Sequence, residues 1–226
     1  MTIQSPAADD FKERLQESLN CTTLNFSTVH AAKRHHVYVC GDPAGSMYFI
    51  QSGQIKLLML SPEGKECLLA IHTVGDTFGE LCLAGSLPRQ ETATAMEDTA
   101  LIRIPCAQFF LHLTNNSLVE GFVKYLATRI SDQQKVIADL ITANSEHRLG
   151  KILLTLAHKL GQLDSRSTRI EQKITHEELS EMVGTTRPRI TKFMRDFRAR
   201  GLIEITPDHF LIVKEEKLSD YLSRIA

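Results

Sequence analysis

Nowhere in the 226 residues do apolar side chains form the run of about 18 that a membrane span needs. The first twenty, "MTIQSPAADDFKERLQESLN", lack a basic start followed by an apolar stretch. Neither insertion nor export is indicated, so a cytoplasmic protein is expected. The cysteines, Cys21, Cys40, Cys67, Cys82 and Cys106, are odd in number, scattered and without a CxxC pair. That distribution predicts reduced thiols and argues against a disulfide framework or a zinc site. No paired nucleophile and base, metal-ligand spacing or glycine-rich triphosphate loop stands out, so no catalytic or metal residue is assigned and an enzyme is not expected.

What is present is a globular composition, 42% hydrophobic and 23% charged, with a formal net charge of −1. The balance hides an asymmetry. From Asn144 onward there are 15 Lys and Arg against 12 Asp and Glu, and before it 11 against 15. Locally the contrast is sharper: "RPRITKFMRDFRAR", Arg187 to Arg200, holds six basic residues and one acid, a density that suits a polyanion.

Between His35 and Cys106 glycines fall at 41, 53, 64 and 75, with short apolar runs ("SMYFI", "QIKLLML", "CLLAIH") between them. Turns at that spacing predict an all-β sandwich or barrel. "CGDPAG", "QSG" and "SPEGK" supply them, since glycine takes positive φ and proline presets its own. A short amphipathic helix, Asp10 to Leu19, is expected ahead of the barrel. From about Leu118 to Ala143 the period changes: Val119, Val123, Leu126, Ile130, Gln133, Ile137 and Leu140 alternate steps of four and three. This heptad seam predicts a long helix that pairs with its twin in a homodimer, with polar Gln133 and its neighbour Gln134 setting register or forming part of a site.

After Ser145 the pattern predicts a helix from Arg148 to Leu160, a loop over "GQLDSRSTR" and a short strand. Thr175 with Glu178 makes a capping box, Gly184 closes the helix that follows, and Thr186 is expected to cap another with Pro188 in its first turn. Ile190, Phe193, Met194 and Phe197 fall on one face, which leaves Arg187, Arg189, Thr191, Lys192 and Arg195 to project. Two short helices about a glycine turn, the second basic, form a helix-turn-helix whose second helix fits the major groove of double-stranded DNA. "LIEI" and "HFLIV" read as a hairpin wing, and "KEEKLSDYLSRI" as a closing helix.

In order, "GDPAGSMYFIQSGQIKL", "SPEGKECLLAI", "GDTFGEL", "PRQETATAMEDTALIRIP" and "EELSEMVGTTRPRITKFMRDFRARGLIEI" resemble the CRP/FNR transcription regulators, from about Asn25 onward. The resemblance implies an α+β chain of three parts. These are a cyclic-nucleotide-binding-domain-like β-barrel or jelly roll over 1–112, a dimerisation helix over 113–143 and a winged helix-turn-helix over 144–226. It implies a homodimer on an inverted-repeat operator, with RNA polymerase as a partner. It also places an effector at Gly79, Glu80, Leu81, Arg89 and Gln90, and at Gln133 and Gln134 on the dimer helix, with Thr175 joining the DNA contacts. The chemistry agrees: glycine admits close approach, Glu80 accepts from sugar hydroxyls, and Arg89 pairs with a phosphate through two parallel hydrogen bonds.

Three departures bear on the ligand and the operator. Gln90 stands where the family's cyclic AMP binders have a hydroxyl, and Glu91 where they have a small residue, bringing a negative charge near the anion. Gln133 and Gln134 replace the Thr-Ser pair that reads adenine. Pro188 replaces a base-reading glutamate, so the operator is expected to differ at that base pair. The effector thus stays open between a cyclic nucleotide (cAMP, cGMP or cyclic di-GMP) and another signal or none. A regulatory module for a partner protein is the alternative outside this class. Cys82, inside the cassette, is a candidate redox sensor by position but is read first as an inert buried thiol.

Overall fold

The computed structural model describes residues 6–21, 26–60, 66–85, 87–164 and 167–225. The expected turn at "SPEGK" lies outside them. The chain divides into two compact units, 1–132 and 133–226, and the division falls within one long helix.

The first unit is two four-stranded antiparallel sheets flanked by helices. One sheet has the order β1 (Ser27–Ala31), β8 (Thr99–Pro105), β3 (Ser46–Ser52) and β6 (Thr77–Phe78). The other runs β2 (His36–Tyr38), β7 (Thr92–Ala95), β4 (Ile55–Leu60) and β5 (Glu66–His72). Strand β3 shows why both cores exist. Successive side chains on a strand point to opposite faces, so Tyr48 and Ile50 join Tyr38, Ile55, Leu57, Phe78, Ala93 and Leu101 between the sheets. Met47 and Phe49 enter a second cluster beneath the helices. Three of the evenly spaced glycines, Gly41, Gly53 and Gly75, have positive φ (94°, 85° and 84°), which accounts for the spacing.

Helix α1 (Pro6–Asn20) is longer than the sequence pattern predicts. Its stripe Phe11, Leu15, Leu19 is buried against α2 (Cys106–Asn115) and the start of α3 (Val119–Thr142). Phe11 packs 5.6 Å from Phe122 and 5.3 Å from Tyr125, ring centre to ring centre. A Cβ at Gly121 would stand 3.2 Å from that phenylalanine, so the one glycine of α3 admits the ring. Each of these side chains contributes roughly 1.5–3 kcal/mol on burial.

The second unit packs α4 (Ser145–Leu160), α5 (His176–Val183), α6 (Arg187–Ala199) and α7 (Glu215–Ile225) on a small sheet. Its strand order is β11 (Ile203–Ile205), β12 (Leu211–Val213), β10 (Ser167–Ile170), β9 (Gly161–Asp164). Here the expected loop over "GQLDSRSTR" is corrected: Gly161–Asp164 and Ser167–Ile170 pair antiparallel. Two strands this short carry too little apolar alternation to be seen locally; they form because β12 supplies the next ladder. The core collects Leu149, Leu153, Leu179, Val183, Ile190, Phe197, Val213 and Leu218, all buried. Among the described residues no helix is long and apolar enough to cross a membrane.

Candidate functional site

Strand β6 ends at Phe78, and Gly79 turns the chain into a short 3-10 helix, Glu80–Ala84, with φ 82°. A Cβ at Gly79 would meet Arg89 Nη1 at 2.7 Å. The space expected for a ligand against this glycine is filled by the arginine itself.

Arg89 is only 3% exposed. Nη1 donates to Gly79 O at 3.0 Å and Nη2 to Ser46 O at 2.6 Å, while the guanidinium lies 4.1 Å over the Tyr38 ring. No carboxylate oxygen among the described residues lies within ion-pair distance of it, and its Nε has no hydrogen-bond partner there. A buried cation compensated only by carbonyls and an aromatic face is costly, because burial penalises unpaired charge.

Glu91 brings its carboxylate to Tyr38. It is buried, and its Oε1 accepts from Tyr38 Oη at 2.8 Å, so the carboxylate is committed to the phenol. Burial first, and then the Glu91 charge, push the Tyr38 phenol well above its usual range. Leu81 and Gln90 are exposed.

Glu80 reaches α3. Its Oε1 lies 2.9 Å from Arg129 Nη2, and both side chains are mostly buried. Arg129 also donates to Thr77 O (3.3 Å) and stands 3.3 Å from His72 Nε2. A guanidinium has only donors, so His72 Nε2 accepts and its proton sits on Nδ1, toward Asp76 Oδ2 at 3.6 Å. Lys12 of α1 completes the chain at 2.8 Å from Asp76. Burial disfavours the charged Asp76, but His72 and Lys12 outweigh it and hold the carboxyl well below the usual carboxylate range. Glu80 Oε2 and Thr77 Oγ1, like Arg89 Nε, are buried without a partner among the described residues. Sequence reasoning missed Arg129; the signal was a basic residue one place before Ile130 of the seam.

On α3, Phe122 and Tyr125 are buried, and Val119 and Leu126 pack partly against the same core. Those two seam positions therefore serve their own barrel as well. Val123 (58% exposed), Ile130 (54%), Ile137 and Leu140 are bare, and so are Val136 and Ile141, which the heptad did not include. Gln133 and Gln134 are exposed.

In the second unit the capping box is complete: Thr175 Oγ1 accepts from the Glu178 N–H at 3.1 Å, and Glu178 Oε2 from the Thr175 N–H at 2.8 Å. Gly184 ends α5 at φ 66°. Thr186 occupies the cap position of α6 but its side chain makes no capping hydrogen bond, a correction to the expectation. Pro188 in the first turn lowers the need for one, since it has no N–H to satisfy. Ile190, Met194 and Phe197 are buried and Phe193 half-buried, which leaves Arg187, Arg189, Thr191, Lys192 and Arg195 exposed. Thr191 Oγ1 donates to Arg187 O at 3.0 Å and lies 3.0 Å from His176 Nδ1.

One last correction concerns the thiols. Cys82, in the 3-10 helix, and Cys106, opening α2, form a disulfide; Cys21, Cys40 and Cys67 are free and exposed.

Comparison with known proteins agrees with this geometry. Residues 28–116 match the cyclic nucleotide-binding domain and residues 147–221 the Crp-like helix-turn-helix domain. The chain belongs to the CRP/FNR family of transcription regulators. Among its relatives is the CRP-like cAMP-activated global transcriptional regulator of Mycobacterium tuberculosis, 29% identical over 198 residues, 87% of this chain and 88% of the relative. The global nitrogen regulator of Nostoc is 27% identical over 186 residues, 81% of this chain and 83% of that one. Two solved structures share the fold of this CRP/FNR chain. A variant of CooA from Carboxydothermus hydrogenoformans has a TM-score of 0.74 at 23% identity, over 92% of this chain and 95% of that one. A CRP family regulator of Thermus thermophilus has 0.72 at 23%, over 86% and 96%. The chain is thus a DNA-binding transcription regulator of a family that works as dimers.

Proposed function

We propose that this regulator binds an anionic, hydroxyl-bearing effector, of the cyclic-nucleotide class, at the Gly79–Arg89 cassette. The observation that carries this is Arg89: a buried guanidinium that, among the described residues, has no carboxylate at ion-pair distance and no partner for its Nε. An effector phosphate would compensate that charge, and the free Oε2 of Glu80 would accept from a sugar hydroxyl. Gln90, exposed beside Arg89, would add an amide donor. Glu91 keeps its negative charge, but the hydrogen bond from Tyr38 fixes where that carboxylate stands. The M. tuberculosis relative's activation by cAMP points to the same class.

Glu80 is held by Arg129, so a ligand that engages Glu80 acts on α3 directly. It shifts the regulator only by its differential affinity for the two arrangements of that helix. The bare apolar face of α3 (Val123, Ile130, Ile137, Leu140) is the dimer seam, joined at its start by Val119 and Leu126 and interrupted by Gln133. Gln133 and Gln134 are assigned to effector discrimination. The working parts are the effector domain over 1–112, the dimer helix over 113–143 and the DNA-binding domain over 144–226, in a cytoplasmic homodimer that contacts RNA polymerase.

On DNA, Arg187, Arg189, Thr191, Lys192 and Arg195 enter the major groove, with Thr175 and Thr186 at the helix starts on the backbone. Two such helices in a dimer read half-sites about 34 Å apart. Selection from random-sequence DNA, followed by footprinting with and without cyclic nucleotides, tests this. A protected inverted repeat whose occupancy changes with one nucleotide is expected; protection with no two-fold symmetry would contradict the dimer, and occupancy indifferent to every nucleotide would contradict the effector.

A further inference from the structure

The disulfide joins two segments that meet at Arg89. The Cys82 and Cys106 Cα atoms are 6.5 Å apart, within the range a disulfide spans without backbone movement. The Cys82 N–H donates to Gly79 O at 3.3 Å, the carbonyl that also accepts from Arg89 Nη1. The Cys106 N–H donates to Gly45 O at 3.0 Å, one peptide before Ser46 O, which accepts from Arg89 Nη2 at 2.6 Å. Each half of the disulfide is therefore one hydrogen bond from the backbone that grips the guanidinium. Glu80 lies two residues before Cys82 in the same short helix.

Access differs at the two ends. Cys82 is buried in the cluster beneath the helices, while Cys106 is half-buried at the first position of α2. An oxidant therefore reaches Cys106 first, where the opening turn of a helix favours a thiolate.

We propose that Cys82 and Cys106 are a reversible redox sensor: a hydroperoxide closes the pair, a dithiol opens it, and closure fixes the Arg89 cassette in its anion-binding form. In the closing step the Cys106 thiolate attacks a peroxide oxygen, the O–O bond breaks, and a sulfenic acid forms as water or alcohol leaves. The Cys82 thiolate then attacks that sulfur and releases hydroxide. Two thiols have lost two protons and two electrons, and the hydroperoxide has become water and its alcohol, or two waters for hydrogen peroxide. In the opening step a dithiol is oxidised to its own disulfide while both protein thiols are restored. Coupling to the ligand follows from pre-organisation: the closed pair removes freedom from the segments that position Arg89 and Glu80, so the anion meets a site already formed. This coupling rests on the proposed anion site; the sensor itself does not.

The test uses the full-length protein, treated with hydrogen peroxide or dithiothreitol. Mass spectrometry of unreduced digests is expected to show the Cys82–Cys106 cross-link after peroxide and its loss after dithiothreitol, whatever happens at the exposed Cys21, Cys40 and Cys67. Amide hydrogen exchange over residues 44–48 and 79–89 is expected to run about fivefold or more faster in the reduced form. Cys106→Ser should exchange like the reduced protein under both treatments. Cys82→Ala serves as the second opened variant should the serine protein not fold. Cyclic AMP, used as the probe in calorimetry, should bind the oxidised protein about fivefold or more tightly than the reduced. Absence of the cross-link after peroxide, or equal exchange in the two forms, overturns the sensor; equal cyclic AMP affinity in the two forms overturns its coupling to the ligand. Binding of cyclic AMP to neither form counts only against cyclic AMP as the occupant of the anion site, and the exchange comparison then decides the sensor.

Discussion

Arg129, on the long helix, and Glu80, in the effector cassette, are joined at 2.9 Å across 49 residues of sequence, and the pair sits between the cassette and the Thr77–His72–Asp76 cluster. A charge relationship of this kind lets a change at the cassette be felt by the helix. Removing one partner leaves the other buried and unpaired, so Arg129→Gln and Glu80→Gln are each expected to lower the unfolding free energy by about 2 kcal/mol. The double variant should cost less than the two singles together, and denaturant unfolding of all four proteins measures the difference. Additive losses would mean the two groups do not interact in solution.

The basic face of α6 makes a prediction about DNA. Arg187→Ala is expected to cost about 1–3 kcal/mol on the selected operator and to relax preference at one base pair. Arg195→Ala, further along the helix, should weaken all sequences alike and reduce the salt slope by about one. Anisotropy titrations on matched and substituted operators at several salt concentrations separate the two behaviours. Arg189→Ala should change preference at the base pair that a glutamate, in place of Pro188, would read.

Stability should fall on the acid side in two windows. His112 and His147 have folded values lowered chiefly by burial, so their neutral forms belong to the folded state. Their contribution is complete above the unfolded value of about 6.5 and is lost as pH falls below it. Asp76, whose folded value is depressed, contributes above about 3.9 and loses that contribution as pH falls further. Thermal unfolding from pH 8 to 3 should show the first slope flattened in His112→Gln. The deficit of Asp76→Asn, large at neutral pH, should shrink only below about pH 4.

Opening the disulfide should also cost stability. Closing a chain segment of 24 residues is worth about 3 kcal/mol by the loop-entropy estimate. Dithiothreitol is therefore expected to lower the melting temperature of the wild type by several degrees and leave Cys106→Ser unmoved.

Much of this fold was legible because its signals are local. The capping box at Thr175, the αL glycine at 184 and the three-and-four spacing of Ile190, Met194 and Phe197 are written within a few residues of each other, and each appears in place. The glycine spacing that predicts the barrel reflects left-handed turns at Gly41, Gly53 and Gly75. What escaped depends on contacts distant in sequence. The pairing of Cys82 with Cys106 needs the sheet to bring the cassette under α2, and an odd, scattered set of cysteines gives no hint of it. Likewise the hydrogen bond that Glu91 accepts from Tyr38, 53 residues earlier, leaves no local sign in the sequence. Strands β9 and β10 are too short to show alternation and take their order from β12.

The central claim is that Arg89 is buried in wait for an anion. Calorimetric titration of the oxidised wild type and of Arg89→Met with cyclic AMP, cyclic GMP and cyclic di-GMP tests it most directly. At least one nucleotide is expected to bind the wild type, with the affinity falling about a hundredfold or more when the guanidinium is removed, the loss of a charge-assisted pair. Binding that survives Arg89→Met unchanged, or no binding of any of the three to the wild type, would contradict the account.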